Sequence, residues 1–576
     1  MSEASERAQP GPAALLGKTQ RWTRLEQLLL LALFIAGLAF RLSHLSAEGF
    51  GDDEVHKWLA VKRYLLGDFG GDDVEHPMLM KWLIAFCMVV GEKLSWAPET
   101  ITRVPNAVAG GVSILVVAQL GRRLFGRAAG LFAAALASLC CTFIGYQRVA
   151  KEDTLLGLFI LLLCWCLAES KAAADDAASA GPDAPDRAKD QLRWELLGAL
   201  SLAGMLASKY FAWHVLLAPI FVFSIRKQSV YRVPVKRWLQ LGGIAFLVWV
   251  CINWSPFLPS TWAYAKSYTS GQQTVHGSLF FMGRIFHNLV EYGWNGTPPW
   301  FYVVFTAVKL APGTLLLALF GLGLALSQRQ PAHKLLFSWM GVWFFIHSLS
   351  GSKWGRFYVS VLPAFLLLAA QAAVWLAEKF ARAREAKSLV SQSSAPQASG
   401  AASLARPRAF LLALFLLLLL SAGGEAMATV RHAPHERLYI SMLGGGDQNV
   451  DWFFPHCDYF DAGFREAVQY VAAHAEPNAE LSTEIDWPAK LYSGWAGRDD
   501  LLQTLNRRGR ACRAGRVCYV VVQTGRWYFL NQDAVANLAK KTPWHVEQIR
   551  GRDVVKVYRL EPGESPYPDE NAPPAK

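Results

Sequence analysis

Three consecutive acids, Asp52, Asp53 and Glu54, stand just beyond the first long apolar run, and other ionisable residues recur beside later runs. Glu75, His76 and Lys81 share one short segment. Arg148, Lys151, Glu152 and Asp153 separate two apolar stretches, Lys209 interrupts the stretch from Leu196 to Ile225, and Lys353 and Arg356 separate two more. Ionisable groups at such depths cost free energy and are usually paired or functional. By itself the acidic triplet reads as a solvated loop end, and Arg148 with Asp153 as a structural ion pair. Together, the carboxylates and cations suit one chemistry: a carboxylate takes the proton of an acceptor hydroxyl while the cations hold a departing phosphate. A lipid tail on that phosphate would need a groove facing the bilayer.

The elements that must position these groups are set by hydrophobicity. Of 576 residues, 53% are hydrophobic, gathered in runs such as Leu28 to Phe40 and Phe410 to Leu420 that a small soluble core cannot surround. The spacing predicts eleven spans, at 26–44, 103–120, 128–146, 154–168, 195–209, 211–225, 238–254, 300–326, 335–350, 357–377 and 408–425. The net charge of +12 is spread over short loops without interleaved aromatics, which excludes a nucleic-acid surface and instead reads as topology. With residues 1–25 as a cytoplasmic tail, six basic loops fall inside and the segments 45–102, 147–153, 255–299, 351–356 and 426–576 outside. This requires the short run Trp82 to Gly91, and the stretch from Val55 to Leu66 before it, to lie along the interface rather than span. The first run lacks a small-residue cleavage site and reads as an uncleaved span.

The expected fold is therefore mainly α: a polytopic membrane domain over 26–425 with interfacial helices in its first outer loop, followed by a small α/β domain over 426–576. In that tail, Phe464 to Ala475 reads as an amphipathic helix, and Val517 to Thr524 and Asp553 to Leu560 as strands. Ala172 to Asp190 and Ser388 to Pro407 read as flexible linkers. Six cysteines in or beside apolar runs are small buried residues; if the tail is exported, Cys512 and Cys518 can pair and leave Cys457 free. The aromatic entry Trp452 to His456, with Tyr459 and Phe460, reads equally as a cover for the site and as packing.

At the chemical residues the sequence resembles a known family. Asp53-Glu54-Val55-His56, then His76-Pro77-Met78-Leu79-Met80-Lys81, is similar to the Asp-Glu and His-Pro-Pro-x-x-Lys motifs of the protein O-mannosyltransferases. These belong to the C-type membrane glycosyltransferase superfamily, which includes the bacterial aminoarabinose transferases acting on lipid A. The resemblance continues through Arg103 to Asn106, Gln147-Arg148 with Asp153, Ser208 to Tyr210, Pro298 to Tyr302 and Lys353 to Arg356. Met78 replaces the second proline, and the loop 255–299 is too short for the trefoil domain of eukaryotic members, which favours a bacterial enzyme.

The resemblance implies a polyprenyl-phosphate-linked sugar as donor, transfer with inversion at the outer face of the bacterial inner membrane, and a protein, glycolipid or polysaccharide acceptor. It implies Asp53 as base, Glu54 as its acidic neighbour, Asp153 as the second carboxylate, and Arg148, Lys209, Lys353, Arg356 and Lys81 as phosphate-side cations. His56, His76 and His276 are the candidate substrate-binding histidines. Asp53, Glu54 and Asp153 also suit a hard cation, Mg or Mn, although no spacing demands one. The competing reading is a transporter or flippase of lipid-linked sugars, which should carry inverted repeats and midplane charges.

Overall fold

The computed structural model describes residues 21–70, 73–179, 184–210, 212–226, 231–269, 277–392, 399–507, 510–512 and 515–567. Its leucine- and alanine-rich runs, good helix formers, give α1 (Arg24–Leu42), α2 (Asp52–Leu65), α3 (Leu79–Lys93), α4 (Pro98–Phe125), α5 (Arg127–Leu139), α6 (Cys141–Gln147), α7 (Asp153–Ser179), α8 (Ala184–Ser208), α9 (Leu217–Ile225), α10 (Val235–Ile252), α11 (Pro259–Thr269), α12 (Phe301–Lys309), α13 (Pro312–Gln328), α14 (Pro331–Leu349), α15 (Leu362–Gln392), α16 (Ser399–Leu418) and α17 (Gly424–His432). Local signals fix several ends. Thr23 and Glu26 form a capping box ahead of α1, and proline opens α4, α13 and α14.

Six of the described helices are long and apolar enough to cross a membrane, or seven if the bent pair α5 and α6, at 59°, counts as one span. The other expected segments are helical but shorter or interrupted. Residues 195–209 are the apolar end of α8, whose first turns are charged. Residues 211–225 divide into a 3₁₀ turn and the nine-residue α9, and 300–326 breaks between α12 and α13. Leu239, Phe246 and Leu247 of α10 stand exposed on an otherwise apolar helix, which only a lipid solvent tolerates. α3 has 15 residues, below the roughly 20 needed to span, as expected of an interfacial element. α2 turns Val55, Trp58 and Val61 inward but leaves Leu65 and Leu66 exposed, so its buried face is narrower than the run suggested.

Two expectations are corrected. The supposed linker 172–190 is helix on both sides of residues 180–183, which lie outside the described residues, because its alanines favour helix over coil. Likewise α15 runs to Gln392 and α16 starts at Ser399 with Pro407 inside it, with 393–398 outside the described residues. The boundary at 425/426 falls within one helical stretch, Arg406–His432.

Close packing joins the bundle. Gly321 of α13 lies so near the Leu368 carbonyl of α15 that a Cβ would meet it at 2.2 Å. The buried Arg41 guanidinium of α1 bonds Gln147 Oε1 at 2.7 Å and the Ala137 carbonyl at 2.8 Å, using acceptors released where α5 gives way to α6.

The tail folds as a mixed five-stranded sheet of β3 (Glu480–Thr483), β4 (Leu502–Leu505), β5 (Cys518–Gln523), β6 (His545–Ile549) and β7 (Arg552–Leu560), in the order β4-β3-β5-β7-β6; β1 (Ser278–Phe281) and β2 (Arg284–His287) form a separate hairpin. β3 is parallel to both β4 and β5, while β5, β7 and β6 are antiparallel neighbours. The expected helix is Phe464–His474, and Cys512 is bonded to Cys518 with Cys457 free. Buried ion pairs fasten the tail to the membrane part: Glu48 with Arg437, Arg148 with Glu436, Lys309 with Asp458 at 2.7 Å, and Glu99 with Arg465 at 3.1 Å.

Glu484, just past β3, is buried, accepts a bond from Asn506 Nδ2 at 2.9 Å and is pushed up to about 7 by burial. The folded state thus holds its proton more tightly than the unfolded chain, so stability is lost as pH rises through that range. We expect wild-type stability to fall between pH 4 and 8 by up to about 3 kcal/mol from this group, the linkage value of a shift from the ordinary glutamate range to about 7. In Glu484→Gln the slope should be flatter, as measured by fluorescence-monitored melting across pH.

Candidate active site

Charged residues from distant helix ends converge on a cavity of about 520 Å³ lined by Asp52, Asp53, His76, Lys209 and Arg356 among others. Asp52, Asp53 and Glu54 occupy the first turn of α2, where the helix dipole favours acids; Asp153 opens α7 and Lys209 follows the last residue of α8, each with the sign its terminus prefers. Arg356 sits in the 3₁₀ turn Gly355–Ser360 after α14. Asp53 Oδ2 meets Lys151 Nζ at 2.5 Å and Arg356 Nη2 at 3.8 Å. Asp153 Oδ1 meets Lys209 Nζ at 2.5 Å, and its Oδ2 lies 3.7 Å from Arg356 Nε. A chain of alternating sign therefore runs Lys151, Asp53, Arg356, Asp153, Lys209. Burial opposes ionisation of Asp53, but Lys151, Arg356 and Lys57 outweigh it and hold the carboxyl well below the ordinary carboxylate range. Asp52 is pushed the other way, up to about 6, by burial that Arg526 and His56 only partly offset.

Several expected ligands do other work. Glu54 is wholly buried: its oxygens take two bonds from Arg103, at 2.9 and 2.6 Å, and accept the amides of Ala150 at 2.8 Å and Gly51 at 2.9 Å, so it holds the α2 end in place. Arg148 is committed to Glu436 and to the carbonyls of Ser43, His44 and Pro434, away from the cavity. Lys353 is buried with its ammonium on the Thr297 and Ser350 carbonyls, and burial lowers it to about 8. Lys81 is buried against Asp73 and the His76 carbonyl. His56 faces Trp487, ring centroids 5.5 Å apart. His276 lies outside the described residues. Glu54, Arg148 and Lys353 found partners 49 or more residues away, which spacing does not reveal, whereas Lys81 is taken by its own segment.

The oxygen set Asp53, Glu54 and Asp153 does not converge, since Glu54 is fully engaged by Arg103 and two amides and the other two acids bind separate ammonium groups. Among the described residues, the ligand atoms that do lie within 4.8 Å of one another are those of Asp73, His76 and Glu152. That group shares the buried Lys57, 2.7 Å from Glu152 and 3.3 Å from Asp73, whose ammonium already meets its negative charge. Lys57, one turn beyond Asp53, had no motif or spacing in the sequence to single it out. Lys151 and Glu152 were visible as part of an ionisable run, but nothing local marked them for the cavity. Of the walls, Trp213, Phe357 and Arg526 carried no sequence signal, Trp354 lies inside the Lys353 to Arg356 run, and His456 and Phe460 belong to the aromatic stretch read equally as a cover for the site and as packing. Arg526 is itself fixed by two bonds to Asp461, at 2.7 and 2.6 Å, and Asp461 accepts the Asp52 amide at 3.1 Å.

The two kinds of charge separate experimentally. Glu54→Gln strands the buried Arg103, so we expect the melting temperature to fall by several degrees, reflecting the ~3–5 kcal/mol of a broken buried pair. Arg356→Ala, which removes ion contacts of 3.7–3.8 Å and a place over the Trp354 and Phe357 rings at the cavity wall but strands no hydrogen-bonded buried partner, should melt much closer to wild type.

Residues 75–255 match the family model described as dolichyl-phosphate-mannose-protein mannosyltransferase. The chain is 24% identical over 298 residues to undecaprenyl phosphate-alpha-4-amino-4-deoxy-L-arabinose arabinosyl transferase 1 of Pseudomonas fluorescens; the match covers 51% of this chain and 47% of that relative, about half its length. Among solved structures, ArnT from Cupriavidus metallidurans bound to undecaprenyl phosphate superposes with a TM-score of 0.50 at 14% identity, covering 92% of this chain and 97% of that one. The oligosaccharyltransferase AglB of Archaeoglobus fulgidus, in complex with an inhibitory peptide and a dolichol-phosphate, gives 0.51 at 10% identity, covering 87% and 69%. In motifs, matched family model and fold alike, this chain is similar to the C-type membrane glycosyltransferases.

Proposed function

We propose that the protein is an inverting glycosyltransferase that moves a sugar from a polyprenyl-phosphate donor to an acceptor hydroxyl at the outer face of the bacterial inner membrane. The observation that carries this reading is the pairing, in one cavity, of a carboxylate held ionised with cations that have an anion-sized opening before them: Asp53 opposite Arg356 and Lys209. Both ion contacts of Asp53 fall on Oδ2, which leaves Oδ1 to accept the acceptor proton. As that proton leaves, the acceptor oxygen bonds to the anomeric carbon from the side opposite the phosphate, and the carbon–oxygen bond to phosphate breaks. The departing polyprenyl phosphate meets Lys209 and Arg356, whose positions Asp153 fixes. Trp213, Val290 and Ile346 give the same cavity an apolar side suited to the first isoprene units. The half-length match to a transferase acting with an undecaprenyl-linked aminosugar supports the donor class.

The test is transfer from a panel of labelled polyprenyl-phosphate hexoses and aminopentoses by the purified protein in membrane lipid. Asp53→Asn should lose ~10²–10⁴-fold in kcat, the range of a general base, with polyprenyl-phosphate binding retained. Lys209→Ala should instead weaken that binding. Undiminished transfer by Asp53→Asn would overturn the assignment of the base.

A further inference from the structure

A second cavity, of about 540 Å³, opens on the tail beside the carboxyl ends of β3 and β4. Its floor is Trp487, an indole left 39% exposed although Phe454, Phe464 and Tyr492 of the same tail are buried. Around it stand Asp486, Lys490, Gln503 and Arg510, offering a carboxylate, an ammonium, an amide and a guanidinium. Gln503 spends its amino group on Ser493 Oγ at 3.1 Å, and its carbonyl oxygen is buried without a hydrogen-bond partner among the described residues. Lys490 Nζ lies over the Trp487 ring at 6.0 Å. A part-exposed indole, with Lys490 over one face and both donors and acceptors around it, matches a sugar ring, which presents an apolar C–H face and a girdle of hydroxyls that each donate and accept. A peptide strand would instead seek the backbone edge of β4.

The cavity is not isolated from the chemistry. Trp487 meets His56 with ring centroids 5.5 Å apart, and His56 Nε2 lies 4.0 Å from Asp52 on the helix that carries Asp53. Trp487 thus packs against the residue one helical turn along α2 from Asp53, so the cavity lies on the side of α2 that carries the carboxylate.

We propose that this cavity is the acceptor subsite and that the acceptor is a saccharide chain, held over Trp487 while its terminal hydroxyl reaches Asp53. This deepens the reading of Asp53 as transfer base and rests on it. The experiment is binding of the full-length protein, in detergent, to an array of oligosaccharides spanning hexoses, amino sugars, deoxy sugars and uronic acids, beside a set of Ser/Thr peptides. Wild type and Asp53→Asn should be retained on saccharide features. Trp487→Ala and Gln503→Ala should lose that retention at least tenfold while melting as wild type does. Retention only on peptides, no retention at all, or equal saccharide retention by Trp487→Ala with its fold intact overturns the subsite. Saccharide binding that survives alongside full transfer by Asp53→Asn would instead sink the base and leave the subsite standing.

Discussion

Moving a carboxylate or an ammonium out of water costs several kcal/mol unless an opposite charge replaces the lost hydration. The centre of this protein is built around that constraint. Two strings of alternating charge meet it: Lys151, Asp53, Arg356, Asp153 and Lys209 in one, Glu152, Lys57, Asp73 and Lys81 in the other. Because every acid already leans on two cations or on a cation and amides, an incoming anion shares existing positive charge rather than supplying what is missing. The site is thereby held open and charged at the same time, with Asp53 kept ionised while Asp52 beside it is drawn toward protonation.

How the sequence encodes this is uneven. The helices were legible because apolar runs long enough for lipid leave little choice, and the positions of Asp53, His76, Asp153, Lys209 and Arg356 were legible because charges at the ends of such runs are conspicuous. Which of those charges face the cavity was not. Arg148 and Lys209 look alike in sequence, yet Arg148 is taken by Glu436, 288 residues away. Glu54 sits beside Asp53, yet the roughly 100° between successive helix residues sends it to Arg103 instead. The linker readings of 172–190 and 388–407 failed for a simpler reason: alanine-rich segments between helices extend those helices.

The tail carries part of the site rather than hanging from it. His456, Phe460 and Arg526 form a wall of the central cavity, and buried pairs with Glu48, Glu99, Arg148 and Lys309 fix that wall to the membrane part. The aromatic stretch from Trp452 to Phe460 does both jobs weighed for it, since Phe454 is wholly buried among other rings while His456 reaches the cavity.

The bond from the Asp52 amide to Asp461, itself clamped by Arg526, joins residue 52 to residues 461 and 526. During synthesis the first of these leaves the ribosome long before the other two. The start of α2 therefore waits for nearly the whole chain to be made before its final partner arrives, and a truncated or still-growing polypeptide holds its carboxylates without the clamp that orients them. The central cavity is in this sense completed last.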